Sequence, residues 1–100
     1  MFDKEALIAL FEKKALKRGQ FTLASGRQSS YYLDGKQVTL DALGAKLVGE
    51  GILDRLGSPA PAAVGGMSIG ADPITGAVVA LAGVHGQPLL GFMVRKEAKG

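Results

Sequence analysis

The chain has 100 residues, of which 47% are hydrophobic and 21% are charged, and this balance excludes an intrinsically disordered segment. The net charge of +3 favours anionic ligands, but only 6% of the residues are aromatic and the basic residues are scattered. That pattern is not typical of a nucleic-acid-binding domain. The absence of cysteine excludes disulfides, zinc–thiolate sites and thiol nucleophiles.

No segment of the sequence has the pattern of a membrane span or a signal peptide. The longest apolar run, residues 77–82, is far shorter than the ~20 residues that cross a bilayer. The N-terminus lacks a basic region followed by an apolar one. We therefore expect a cytoplasmic protein that binds neither membranes nor nucleic acid.

The first forty residues predict a helix followed by a β-hairpin. Apolar residues recur at helical spacing over 3–18, with Asp3 as the N-cap and Gly19 as the stop. Two short β-prone runs, 20–23 and 30–33, then flank a turn at 24–27.

A second helix is predicted over 41–56, capped by Asp41 and ended by Gly57. The side chains expected to face the core are Leu43, Leu47, Val48 and Ile52.

The remaining sequence predicts a strand, a helix and a second strand. An apolar strand fits 62–66, a helix with Asp72 as its N-cap runs to about residue 82, and a buried strand fits 89–94. Such a βαβ unit implies a parallel sheet, so the predicted fold class is α/β.

Two segments of this unit could bind an anion. Gly65, Gly66 and Gly70 lie between the first strand and the helix N-terminus, where free N–H groups favour phosphate, although a tight turn with nothing bound fits equally well. The cationic segment 95–99 follows the second strand, beyond whose carboxyl end ligands of open α/β sheets bind. A solvated, charged loop is the alternative there.

The hairpin is a third candidate site. Residues 25–32 combine one arginine with serine hydroxyls and two phenols, which could bind a polar planar ligand. Polar hairpins without a ligand have the same composition.

Four segments, in this order and spacing, resemble orotate phosphoribosyltransferases. They are 18–27 (RGQFTLASGR), 29–34 (SSYYLD), 70–74 (GADPI) and 94–100 (VRKEAKG). The first and last are specific to this family among phosphoribosyltransferases, and the resemblance covers essentially the whole chain.

The resemblance implies a hood of helix and hairpin over 1–40, followed at 41–100 by the start of a Rossmann-like phosphoribosyltransferase core. Together these would form one incomplete domain. Family members use Mg²⁺ and transfer the 5-phosphoribosyl group of 5-phosphoribosyl 1-diphosphate to orotate, giving orotidine 5′-monophosphate and diphosphate in pyrimidine biosynthesis. They are homodimers in which a mobile loop, here opening at Lys96, reaches into the neighbour's site.

The resemblance also assigns site residues, one by one. Three cations match the family's diphosphate-binding residues, namely Arg95, Lys96 and Lys99. The two lysines also match its catalytic residues. The residues that would form the orotate side of the site are Tyr32, Leu33, Ser25 and Arg27, with the backbone around Tyr32 meeting the base.

This sequence departs from the family in three places. Ala24 and the turn near Gly70 lack lysines that many members carry, and the acidic pair with its Thr-Thr-Gly-rich loop would lie beyond Gly100. We therefore expect the N-terminal half of an enzyme.

Two other functions fit parts of the sequence. A different phosphoribosyltransferase is disfavoured by the hood motif. A non-catalytic regulator that binds phosphoribosyl diphosphate would need a DNA-binding segment, and the first seventeen residues hold only one predicted helix.

Overall fold

The computed structural model describes residues 2–98, which fold into alternating helices and strands. Their order is α1 (Lys4–Lys14), β1 (Leu16–Thr22), β2 (Gln28–Leu33), α2 (Lys36–Thr39), α3 (Ala42–Leu56), β3 (Ala63–Met67), α4 (Asp72–Val84) and β4 (Leu90–Val94). The α/β class is confirmed.

Helix α1 begins as predicted and ends earlier than predicted. The Asp3 carboxylate accepts a hydrogen bond from the Ala6 amide at 3.0 Å, which is the predicted N-cap. The expected continuation to residue 18 is wrong, because Leu16–Arg18 pair with Tyr31–Leu33 in a sheet. The strand pairing overrides the helical spacing of these residues.

The predicted hairpin is confirmed, with longer strands than the sequence indicated. Strands β1 and β2 are antiparallel, and their register shifts between Arg18 and Phe21. At the turn, the Leu23 amide donates to the Arg27 carbonyl at 2.8 Å, and Gly26 has a φ of +86° that favours glycine.

Helix α3 is confirmed at both ends. Asp41 accepts from the Gly44 amide at 3.0 Å, and Gly57 follows the helix with a φ of +70°. Leu47 is buried, but Leu43 is 50% exposed, so its predicted place in the core is wrong. Leu43 stands in the first turn of α3, where the rest of the described chain leaves half of its surface uncovered. The short helix α2 was not predicted.

The βαβ unit is confirmed as a parallel pair of strands. The register runs from Ala63 opposite Leu90 to Met67 opposite Val94. The prediction that the second strand is buried is wrong, since every residue of β4 is exposed. Within residues 2–98, β3 pairs with one edge of β4, and α4 covers only part of it.

Both ends of α4 differ from the sequence prediction. Ala71 is the N-cap, without a side-chain cap bond, and Asp72 is the first helical residue. The helix continues past Gly83 to Val84, with His85 as the C-cap.

The core lies where α3 packs on α4. Leu47, Val78 and Ala82 are buried there, and a Cβ added at Gly49 would lie 2.6 Å from the Leu81 Cδ1. Glycine at this position therefore permits the close approach of the two helices.

The hairpin is supported by helices rather than by the parallel sheet. It packs on α1, which with α2 rests on α3, and within the described residues it makes no extensive contact with β3 or β4. The radius of gyration, 15.4 Å, exceeds the ~13 Å of a compact 100-residue domain, as a projecting hairpin requires. No helix among residues 2–98 is both long and apolar enough to cross a membrane.

Candidate functional site

An open cleft of about 430 Å³ lies between the hairpin and the β3–α4 loop. Its lining residues come from β2, α2, the loop and the first turn of α4, and they are Tyr32, Leu33, Asp34, Gly35, Lys36, Thr39, Ile69, Gly70 and Ile74. The cleft therefore joins two of the three segments that the sequence analysis selected.

The loop wall of the cleft is tied to both strands of the parallel sheet. The Ser68 amide donates to the Val94 carbonyl at 2.9 Å, which extends the β3–β4 ladder by one bond. The Ala71 amide donates back to Met67 at 3.0 Å and closes the turn. Arg95 follows Val94 directly, so the cationic segment starts beside this loop.

The predicted orotate-binding residues divide into two groups. Tyr32 and Leu33 line the cleft. Ser25 and Arg27 lie at the hairpin turn, where the Arg27 amide donates to the Ser25 Oγ at 3.4 Å, and they are not among the residues lining the cleft. The geometry thus unites the loop with Tyr32 and Leu33, and the roles of all four residues stay predictions.

Two of the predicted diphosphate-binding cations lie at the carboxyl end of β4. Arg95 and Lys96 are exposed and follow the strand directly, and neither lines the cleft. Lys99 lies outside the described residues. Their proposed roles also stay predictions.

Sequence reasoning missed the contribution of α2 to the cleft. Lys36 and Thr39 line it, and Asp34 accepts from the Gln37 Nε2 at 3.1 Å just before the helix. Asp34 and Gly35 are residues typical of a turn, but a four-residue helix has too few turns to show a periodic pattern. Many family members carry lysines at the position of Ala24 and near Gly70, and this sequence lacks both. Among the residues that line the cleft, Lys36 is the cation.

The chemistry of the cleft suits a small, polar ligand. It combines an aromatic side chain, a lysine, a carboxylate and backbone groups of an irregular loop, the mixture common in sites for charged metabolites. Phe21 supports Tyr32 from the neighbouring strand, with ring centroids 5.9 Å apart.

The described residues contain no ready-made metal site. Among residues 2–98, no group of three His, Asp or Glu side chains could hold a metal ion. The residues present therefore do not build a cage for the predicted Mg²⁺.

No protein-family model matches the chain. Comparison with curated proteins gives a different outcome: the orotate phosphoribosyltransferase of Rhodopirellula baltica is 56% identical over 104 aligned residues, which cover 98% of this chain and 54% of that protein. The chain belongs to the orotate phosphoribosyltransferase family. It spans about half the length of the curated relatives it matches.

Solved structures of this family have the same fold. The orotate phosphoribosyltransferase of Mycobacterium tuberculosis, in a complex with 5-phospho-α-D-ribosyl 1-diphosphate, gives a TM-score of 0.74 at 32% identity, covering 95% of this chain and 54% of that one. A phosphoribosyltransferase from Corynebacterium diphtheriae gives 0.78 at 33% identity, covering 97% and 52%. The predicted membership of the orotate phosphoribosyltransferase family is thus confirmed.

Proposed function

We propose that this chain is the orotate-binding part of an orotate phosphoribosyltransferase, a glycosyltransferase of pyrimidine biosynthesis. The enzyme transfers the 5-phosphoribosyl group from 5-phosphoribosyl 1-diphosphate to orotate, giving orotidine 5′-monophosphate and diphosphate. The observation that carries the proposal is 56% identity to an orotate phosphoribosyltransferase over 98% of the chain. A solved relative binds phosphoribosyl diphosphate, which supports that substrate class. No observation favours the non-catalytic regulator.

The cleft supports the orotate half of the reaction. Tyr32 and Leu33 form one wall, and Ile69 and Gly70 form the other, so a flat ring can enter between backbone groups on both sides. Lys36, which also lines the cleft, supplies a cation for the carboxylate that orotate carries.

The cationic segment supports the diphosphate half. In the transfer, the bond from C1 of ribose to the diphosphate oxygen breaks and its electron pair leaves with diphosphate. A ring nitrogen of orotate gives up its proton to solvent and bonds to C1. Negative charge therefore grows on diphosphate while the sugar becomes oxocarbenium-like, and cations placed beside the leaving group stabilise that state. Arg95, Lys96 and Lys99 are the proposed cations, and no side chain acts as a nucleophile.

Cofactor, assembly and location are further parts of the proposal. Mg²⁺ is expected to bind with the diphosphate, whose oxygens commonly supply much of its coordination. Residues 2–98 offer no group of three carboxylate or imidazole ligands of their own. We also propose a cytoplasmic homodimer with shared sites, and the half-exposed apolar side chains Tyr31 and Leu33 on β2 are compatible with a partner surface.

The test is an assay of orotidine 5′-monophosphate formation by the full-length natural polypeptide that contains this sequence. We expect product only when orotate and phosphoribosyl diphosphate are both present. Lys36→Ala removes the cation of the cleft and is expected to weaken orotate binding. Lys46→Ala, on the outer face of α3, is the matched control and should leave orotate binding unchanged. A polypeptide that binds phosphoribosyl diphosphate without forming product would overturn the proposal in favour of the regulator.

A further inference from the structure

The side chains of Ser68 and Asp72 form a hydrogen bond that bridges the β3–α4 loop. The Ser68 Oγ donates to the Asp72 Oδ1 at 3.0 Å, and the pair is partly buried. Ser68 is the first residue after β3, and Asp72 is the first residue of α4. The bond thus links the end of the strand to the start of the helix across the loop that walls the cleft.

This bond uses a carboxylate that would otherwise be free to cap the helix. An aspartate at the start of a helix usually accepts from a backbone N–H of the first turn. Here Ala71 occupies the N-cap position and α4 has no side-chain cap bond. The Asp72 carboxylate instead holds the loop, while its charge still lies at the favourable, positive end of the helix dipole.

Backbone bonds fix both ends of the same loop. Ser68 donates through its amide to Val94 at 2.9 Å, and the Asp72 amide donates to the Ile69 carbonyl at 3.0 Å. Among residues 2–98, no hydrogen bond uses the amides of Ile69 or Gly70. Both residues line the cleft, and the Ile69 side chain is 79% exposed.

We propose that Asp72, acting through the Ser68 hydroxyl, is a positioning residue for the transferase reaction. The pair holds the free amides of Ile69 and Gly70 in the orientation in which they meet the substrate. Because Ser68 is also bonded to Val94, the pair fixes this loop relative to the strand end that carries Arg95. Donors that are oriented before the substrate arrives need no reorganisation during the reaction, which is the condition for strong electrostatic stabilisation. This inference rests on the proposed function.

The kinetic test uses the full-length natural polypeptide and four variants. Ser68→Ala and Asp72→Ala each remove the bond, and we expect kcat/KM to fall on the order of 10- to 100-fold, the cost of a small misplacement of a binding group. Ser68→Thr keeps the hydroxyl and is expected to retain most of the activity. Asp54→Ala, on the exposed face of α3, is the matched control and should leave kcat/KM unchanged.

A double-mutant cycle separates positioning from simple stabilisation. If the two residues act as one unit, Ser68→Ala with Asp72→Ala lowers kcat/KM no further than either change alone. Additive losses would overturn the proposal. So would single variants that lower the thermal unfolding midpoint but leave kcat/KM within twofold of the parent.

A measurement without substrate distinguishes a failure of this inference from a failure of the proposed function. The amides of Ser68 and Ala71 are hydrogen-bonded to Val94 and Met67, so their exchange reports how firmly the loop is held. Their hydrogen exchange is expected to become about tenfold faster, or more, in Asp72→Ala, the factor that follows from losing one charge-assisted hydrogen bond. If the alanine variant does not fold, Asp72→Asn replaces it, and a smaller increase in the exchange rate is expected. Unchanged exchange in these variants overturns the inference, whereas an inactive parent whose loop exchange does respond refutes the proposed function alone.

Discussion

Replacing Gly44 by alanine tests whether α2 and α3 must approach as closely as they do. Gly44 is buried in the first turn of α3, and its amide is the donor to Asp41. An added Cβ would overlap the Val38 carbonyl oxygen and lie 2.8 Å from both its carbonyl carbon and its Cγ1. Two of these three atoms belong to the backbone, so no side-chain rotation relieves the overlap, and α2 must move away from α3.

The expected cost follows from two opposing effects. Alanine gains about 1 kcal/mol over glycine in a helix interior, whereas forcing extra volume into a packed contact costs about 1–3 kcal/mol and occasionally more. Because the overlap here is with backbone, we expect the upper end of that range and a net loss of about 2 kcal/mol. For a domain of about 150–250 residues, a loss of this size lowers the thermal unfolding midpoint by about 4–8 °C.

Gly76→Ala is the matched control, because Gly76 lies inside α4 and an added Cβ would meet nothing within 4 Å. The same chemical change should there raise the midpoint by about 2–4 °C through helix propensity. Circular dichroism during heating of the full-length polypeptide measures both. A Gly44→Ala variant as stable as the parent would refute the inferred contact between α2 and α3. Since Lys36 and Thr39 of α2 line the cleft, the variant should also bind orotate more weakly.

Three further outcomes are expected. Lys96→Ala in the full-length polypeptide should lower kcat/KM by about 10²–10³, mainly in kcat, as for loss of one transition-state donor, whereas an effect confined to KM would limit Lys96 to ground-state binding. Hydrogen bonds from the Lys14 ammonium, at 2.6 Å, and the Gly44 amide hold the pKa of the Asp41 carboxyl below its usual range. The stability that this carboxylate contributes is present above pH ~4 and is lost as the pH falls through the lowered pKa of the folded state. The urea midpoints of the parent and Asp41→Asn should therefore approach each other progressively as the pH is lowered below ~4, and a gap that does not narrow would contradict this. A polypeptide limited to these 100 residues, with a mass of 10.3 kDa, should form no orotidine 5′-monophosphate and should aggregate through exposed β4, and product formed by it would contradict the expectation.

Local signals in the sequence predicted α3 and the βαβ unit well. Asp41 and Gly57 mark the ends of α3 through a side-chain cap and a positive φ, both of which depend on a few neighbouring residues. Non-local pairing explains the main error, at the end of α1. Residues 16–18 continue the helical spacing of α1, but they join β2 across the hairpin, and no local pattern reveals that partner.

The cleft could be predicted only in parts. The sequence indicated the hairpin segment with Tyr32 and the loop at Gly70 as separate candidates, and the resemblance added Leu33 to the hairpin side. Neither predicted that the loop and the hairpin line one cleft. That they face each other depends on how α2 rests on α3, which depends on Gly44 and Val38. The bond from Ser68 to Asp72 was hidden because Asp72 also fits the pattern of an ordinary N-cap.

The separate supports of the two cleft walls have a consequence for how such a site can diverge. The hairpin wall rests on α1, whereas the loop wall belongs to the parallel sheet, and the hairpin makes no extensive contact with that sheet within residues 2–98. Changes in the hairpin can therefore alter the shape offered to the base without disturbing the strand ends that present Arg95 and Lys96. The proposed acceptor wall and the proposed leaving-group segment can therefore evolve as two nearly independent parts of one fold.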